Sequence, residues 1–301
     1  MEIDKQNGSV CFSEKEHIYW DKDNENDRYV SVTTLIHSFT QPFDKDFWSA
    51  YKALEKLIPK EYWSVEKKSL LNTKKFDKEI LSVYNISEND FNKAQQDILD
   101  DWDKKNRDSC ERGTKIHSEL ENQYYRKPKN IDLKKYGIGG KFECRKGYTP
   151  LDMECGIYPE YLIYRKSDDG VLKIAGQIDL LVKNGNDIWI LDYKTNQSID
   201  MKSGFDTKTK KNATMQYPLN NLQDCNYYHY TLQLSTYAWM IQKLNPNFNI
   251  KGLILVHYGH DGNVTQYKLD YLKSDVERML AYHKKEVIKQ KQREKRKRIE
   301  Y

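Results

Sequence analysis

Apolar and polar positions alternate in several short runs of this chain and elsewhere recur at helical spacing. Between residues 157 and 193, IYPEYLIY, VLKIAGQIDLLV and DIWILDY are β-rich, and Ser167-Asp168-Asp169-Gly170 and Asn184-Gly185-Asn186 separate them. Turn sequences between strand-like runs predict an antiparallel meander of three strands. GLILVHY and VTQYKL predict two more strands around His260-Asp261-Gly262, and residues 8–20 and 28–34 read as an edge hairpin. Asp44 caps a predicted helix through FWSAYKALEKLI that Pro59 ends, and a Lys-rich, irregular helical stretch spans 60–86. Ser87 and Asp90 resemble a capping box opening a helix over about 88–126, before Pro128. Gly113 weakens that helix by roughly 1 kcal/mol relative to Ala, which implies a break near 108–113 or close packing there. Further helices are predicted at about 226–243, closed by Asn245-Pro246, and from Lys273 into the C-terminus. The mixture predicts an α/β (α+β) fold, a central mixed, mainly antiparallel sheet flanked by helices. The expected division is 1–105, a hairpin and helical lobe packed on the core; 106–283, the core; and 284–301, a basic helical tail.

Charge sharpens the picture at one end. Residues 284–298, KKEVIKQKQREKRKR, hold nine Lys/Arg against two Glu, a net of +7, so the remainder of the +5 chain carries −2. Such a tail either binds a polyanion or is a solvated helix end. No apolar run reaches the roughly 18 residues a membrane span needs, and MEIDKQNGSV lacks a charged-then-apolar leader pattern. The expected setting is the cytoplasm of a bacterial or phage-infected cell. Five cysteines, at 11, 110, 144, 155 and 225, contain no C-x-x-C and make neither a zinc site nor a disulfide framework.

The candidate chemistry lies in two strands. Asp179 sits within the apolar run IAGQIDLLV, where an unpaired carboxylate is costly. Asp192 ends IWILDYK, and strand alternation puts Asp192 and Lys194 on one face with Tyr193 on the other. If the two strands are hairpin partners, Asp179 lies beside Asp192, and a divalent cation relieves their repulsion. Oxygen ligands suit Mg²⁺ or Mn²⁺, and such an ion lowers the pKa of a bound water. Three more patterns accompany the pair. Gly113-Thr114-x-x-His117-x-x-x-Glu121 puts His117 and Glu121 on one helix face. Gly176 precedes Asp179 in G-Q-I-D, which also fits a bulge glycine. Gln233 and Tyr237 share a face in Q-L-S-T-Y, which also fits a surface amide and a core phenol.

In this order the motifs resemble the PD-(D/E)XK nuclease superfamily, in particular its RecB-like branch, over residues 113–237. The resemblance implies a restriction-endonuclease-like core and a metal-dependent DNA nuclease using one or two Mg²⁺ or Mn²⁺ ions. His117, Asp179 and Asp192 would be metal ligands, with the Tyr193 carbonyl added. Lys194 would be the catalytic lysine, and Gln233 and Tyr237 would position it or the substrate. Glu121 and Glu160 are alternative candidates for a further metal carboxylate. Some relatives carry an iron–sulfur cluster on late cysteines, but no C-x-x-C follows Tyr237, so no cluster is expected. G-x-x-x-x-G-K-[ST] is absent, so no ATP-driven motor is expected either.

Between the D-Y-K strand and the Q-L-S-T-Y helix, Lys202, Lys208, Lys210, Lys211 and Tyr217 are candidate DNA contacts. Tyr227, Tyr228 and Tyr230 are either base-stacking rings or packing under a loop. An exonuclease on DNA ends or single strands is the leading expectation, of phage or mitochondrial type. The alternatives are a structure-specific endonuclease, an RNA endonuclease and a non-catalytic DNA-binding recombination accessory protein. A single-strand annealing or replication protein is an expected partner.

Overall fold

A computed structural model describes residues 2–146, 153–206 and 211–299. Four short strands open the chain: β1 (Lys5–Asn7), β2 (Val10–Ser13), β3 (Ile18–Asp21) and β4 (Asn24–Ser31). Helices α1 (Val32–His37), α2 (Lys45–Leu57), α3 (Lys60–Thr73), α4 (Glu79–Val83) and α5 (Glu88–Arg126) follow. Next come β5 (Ile131–Leu133), a 3₁₀ turn, β6 (Ile138–Phe142), β7 (Gly156–Lys166), β8 (Lys173–Asn184) and β9 (Asp187–Lys194). Two-residue strands β10 (Phe205–Asp206) and β11 (Lys211–Asn212) precede α6 (Asn226–Leu244). The chain ends with β12 (Asn249–Tyr258), β13 (Val264–Leu269) and α7 (Lys273–Ile299).

Local chemistry explains most boundaries. The Asp44 carboxylate accepts the Phe47 N–H at 2.9 Å and caps α2. Ser87 Oγ accepts the Asp90 N–H at 3.0 Å and opens α5. Helix α5 runs unbroken through Gly113, so of the break or close packing expected near 108–113 the break does not form. The basic tail continues α7 as helix, and Lys284 fastens it to Asp169 in the β7–β8 turn.

Two compact units result. One comprises 1–41, 115–205 and 212–301; the other comprises 42–114 with 206–211. The N-terminal strands thus belong with the sheet, and the smaller unit is essentially helical, cored by Phe47, Tyr51, Leu54, Phe91 and Ile98. The sequence boundary at 105 sits nine residues before this division at 114–115.

The large unit is built on a nine-stranded mixed sheet ordered β1-β2-β3-β4-β8-β9-β12-β13, with β7 also paired to β8. The predicted meander β7-β8-β9 is antiparallel, as is β12–β13. Two parallel pairings were invisible in the local pattern, β4 with β8 and β9 with β12. Strand β8 positions the site. One of its edges follows β7 along its length. The other carries β4 at Ile174–Ala175 and β9 only from Leu180 onward. Gly176–Asp179 therefore face a gap between β4 and β9.

Both faces of the sheet are covered. Ile174, Ile178, Ile188 and Ile190 pack with α1, α6 and α7 through residues such as Leu35, Leu234 and Met279. Leu180, Val182, Leu191 and Tyr193 pack with Tyr124 of α5 and the β5–β6 hairpin. Helix α6 lies so close to β8 that a Cβ on Gly176 would come 2.6 Å from Tyr237 Cε1. The glycine is thus required for helix–sheet approach, not for a bulge. Gly176→Ala is expected to destabilise the chain by about 1–3 kcal/mol through overpacking. Gly139→Ala, whose Cβ would meet nothing within 4 Å, is expected to change stability by less than about 0.5 kcal/mol. Urea unfolding midpoints of the two variants check this.

Candidate metal centre

Where β9 leaves β8, the sheet opens a cleft lined by acidic groups. The last paired residues are Leu180 and Leu191, and Asp179 and Asp192 are the next on each strand. Both aspartates are buried. Asp179 Oδ2 accepts the Tyr193 N–H at 2.6 Å, standing in for the ladder bond lost at the split. Its Oδ1 lies 3.6 Å from His117 Nδ1, delivered by α5. His117 Nε2 is 2.9 Å from the Tyr193 carbonyl, which only accepts, so that nitrogen carries the proton. The backbone of one β9 residue, Tyr193, thus binds both the aspartate, through its N–H, and the histidine, through its carbonyl.

Glu160 completes the group. Pairings on either side put it opposite Asp179 on β7, and its φ of 50° is left-handed. That region is costly for a residue with a side chain and recurs where structure re-aims a functional group. Its Oε1 is 3.8 Å from His117 Nδ1. Donor atoms of His117, Glu160 and Asp179 all lie within 4.8 Å of one another, the spacing of a cation site.

Asp192 lies outside that triplet, on the α6 side. Its Oδ1 accepts the Gln233 amide at 3.0 Å, and Lys194 Nζ is 2.6 Å from Oδ2. Lys194 thus satisfies the buried Oδ2 as a close charge-assisted partner. Gln233 also donates to the Tyr237 hydroxyl at 3.3 Å. Both residues are buried, so Gln233 is no surface amide. The Lys194 ammonium lies over the Tyr230 ring, 4.9 Å from its centroid, and Tyr230 donates to Asn196 at 2.6 Å. Tyr230 thus serves the lysine, and with Tyr227 and Tyr228 it packs against the core.

Electrostatics follow from this crowding. Burial raises the Asp179 carboxyl to about 7, with Asp192 and Glu160 adding to the rise. Burial alone would lower His117, but Asp179 and Glu160 raise it to about 9. Burial works the same way on Lys194, and Asp192 and Asp179 outweigh it, holding the ammonium charged. Glu160 stays below its usual range despite burial, because His117, Lys5 and Gln177 favour its anion.

The remaining sequence candidates are more scattered. Glu121, one turn beyond His117, is not in the triplet; burial raises its carboxyl, which lies within the field of Lys5 and Glu160. Lys202, Lys211 and Tyr217 are exposed, with Tyr217 edge-on to Tyr282. Lys208 and Lys210 lie outside the described residues. Sequence reasoning missed Lys5 and the role of Gln177. Both reach the Glu160 carboxylate, but the first comes from a distant hairpin and carries no motif.

An imidazole and two carboxylates that burden one another suit a hard divalent cation, and Asp192, paired with Lys194, lies beside them. The chain belongs to the PD-(D/E)XK nuclease superfamily, whose family model matches residues 115–300. Nucleases of this superfamily use divalent metal ions, and the donor atoms of His117, Glu160 and Asp179 are grouped as such an ion requires. No curated protein matches the chain. Among solved structures, that of SSO0001 is similar at 21% identity and a TM-score of 0.25. That match covers 42% of this chain and 48%, about half, of the other. Among the described residues, no helix is long and apolar enough to cross a membrane.

A cation entering the triplet has to displace the protons held by Asp179, near 7, and His117, near 9. Apparent Mn²⁺ affinity is therefore expected to rise with pH, about tenfold per unit between 7 and 9 and more steeply below 7. Calorimetric titrations at pH 6, 7 and 8 check this, and a flat profile would contradict the site.

Proposed function

We propose that this chain is a Mg²⁺- or Mn²⁺-dependent DNA exonuclease of the RecB-like branch, acting on DNA ends or single strands. The observation that carries the reading is the convergence of two half-sites on the β8–β9 split. His117, Glu160 and Asp179 gather on one side of it, and Asp192 and Lys194 meet Gln233 on the other. The first group would hold the cation, with Asp192 as an adjoining ligand. A divalent ion bound there polarises a phosphate oxygen and acidifies a water.

The protein's own groups do the rest. Lys194 keeps its charge inside a low-dielectric cleft, where an ammonium acts on a phosphate far more strongly than in water. Tyr230 beneath it and Asp192 beside it hold it in one place. Gln233 fixes Asp192 and is itself fixed by Tyr237, which is why the Q-x-x-x-Y spacing matters. The DNA preference, the exonuclease mode and the phosphate-tracking role of Lys202, Lys208, Lys210, Lys211 and Tyr217 rest on the motif order and on the basic segment after β9.

End-labelled linear DNA, covalently closed circular DNA and RNA, each incubated with Mg²⁺ or Mn²⁺, test the proposal. Linear DNA is expected to be degraded and closed circles spared. Asp192→Asn and Lys194→Met are each expected to lower the rate at least about a hundredfold. Efficient cutting of circles would replace the exonuclease reading with an endonuclease one. Preference for RNA would overturn the DNA assignment, and undiminished cleavage by the variants would overturn the site.

A further inference from the structure

The N-terminal hairpin places a positive charge on the rim of the metal centre. Lys5 Nζ on β1 lies 3.5 Å from Glu160 Oε2 and 3.3 Å from Glu14 Oε1. The Gln177 amide donates to the same Glu160 oxygen. The carboxylate is therefore divided. Oε1 faces His117 and the triplet, while Oε2 is taken by an ammonium and an amide.

The hairpin is fastened so that this contact is no accident of a loose end. Asn7 Nδ2 donates to the Leu162 carbonyl at 2.7 Å, two residues beyond Glu160 on β7. Gly8 passes so tightly over the Tyr164 hydroxyl that no side chain fits there. The Asp4 carboxylate accepts the Glu14 N–H at 2.8 Å, which sets the acidic partner on the far side of Lys5. Glu121 adds a third carboxylate within the field of Lys5, Glu14 and Glu160.

Two-ion sites hold their cations about 3.5–4 Å apart. They need carboxylate oxygens that face both ions. Here the outer oxygen of Glu160 already faces a unit positive charge, and a divalent cation beside that ammonium would be repelled. We propose that Lys5 is a positioning residue that fixes the metal count at one, standing where a second divalent ion would otherwise bind between Glu160, Glu14 and Glu121. The proposal rests on the metal-nuclease reading, and it makes the β1–β2 hairpin part of the active centre rather than a decoration of the sheet edge.

Counting bound Mn²⁺ by titration calorimetry, with free Mn²⁺ followed by electron paramagnetic resonance, tests it without any cleavage assay. The wild-type chain is expected to bind one ion at the centre. Lys5→Met, which keeps the aliphatic stem and removes the charge, is expected to bind two. Lys5→Arg is expected to stay at one, and adding Glu14→Gln and Glu121→Gln to Lys5→Met is expected to remove the second ion while leaving the central one. A thermal melt of each variant establishes that it is folded. Two ions in the wild type, or one in Lys5→Met with the fold intact, would overturn the proposal while leaving a metal nuclease. No ion in the wild type, or binding undiminished by Asp179→Asn, would overturn the metal centre itself and this proposal with it. If Lys5→Met does not fold, two ions in Lys5→Arg or in the wild type still decide against the proposal, and one in both supports it.

Discussion

Two aspartates are buried where β8 and β9 part, and the sheet alone does not satisfy them. An unpaired carboxylate in such a place costs several kcal/mol, so everything around the split is arranged to answer Asp179 and Asp192. A backbone N–H of β9 and the His117 ring meet Asp179, while Gln233 and Lys194 meet Asp192. With Glu160 the centre holds three carboxylates, and His117, Lys194 and Lys5 are the three basic groups set against them. The charges of a cluster balanced in this way offset one another, and its protons are what a divalent cation would have to displace.

The split itself has a structural cause. Strand β8 gives one edge to β7 and divides the other between β4 and β9, so the chain between Gly176 and Asp179 borders a gap. Helix α6 fits close over this segment because Gly176 has no side chain to hold Tyr237 away. The same approach brings Gln233 onto Asp192. Opposite the gap, the left-handed backbone at Glu160 breaks the regular alternation of β7 and turns a third carboxylate toward the pair. Packing, strain and chemistry meet at one point along two strands.

Much of this was legible in the chain. The β7-β8-β9 meander, the cap of α5 and the extent of α6 follow from alternation, turn residues and capping chemistry. Alternation also put Asp192 and Lys194 on one face, and they form an ion pair there. What failed to show were features set by distant parts of the chain. The parallel pairings of β4 with β8 and of β9 with β12 leave no local trace. Lys5 looks like any solvent-facing strand lysine until β1 is seen beside β7. Choosing between Glu121 and Glu160 was equally out of reach, since a left-handed residue within a strand has no sequence signal when it is not glycine. Helix spacing puts Glu121 on the face of His117, whereas the donor atoms that gather with His117 and Asp179 are those of Glu160. At Gly113 the chain alone left a break or close packing open, and the helix runs on, because it tolerates one glycine when the rest of its length supports it.

Everything at the β8–β9 split turns on whether its buried group holds a cation. Anomalous scattering from crystals of the chain soaked in Mn²⁺ answers that. A manganese peak bordered by His117, Glu160 and Asp179 is expected. A soaked crystal with no peak there, or with manganese bound only elsewhere on the surface, would contradict it.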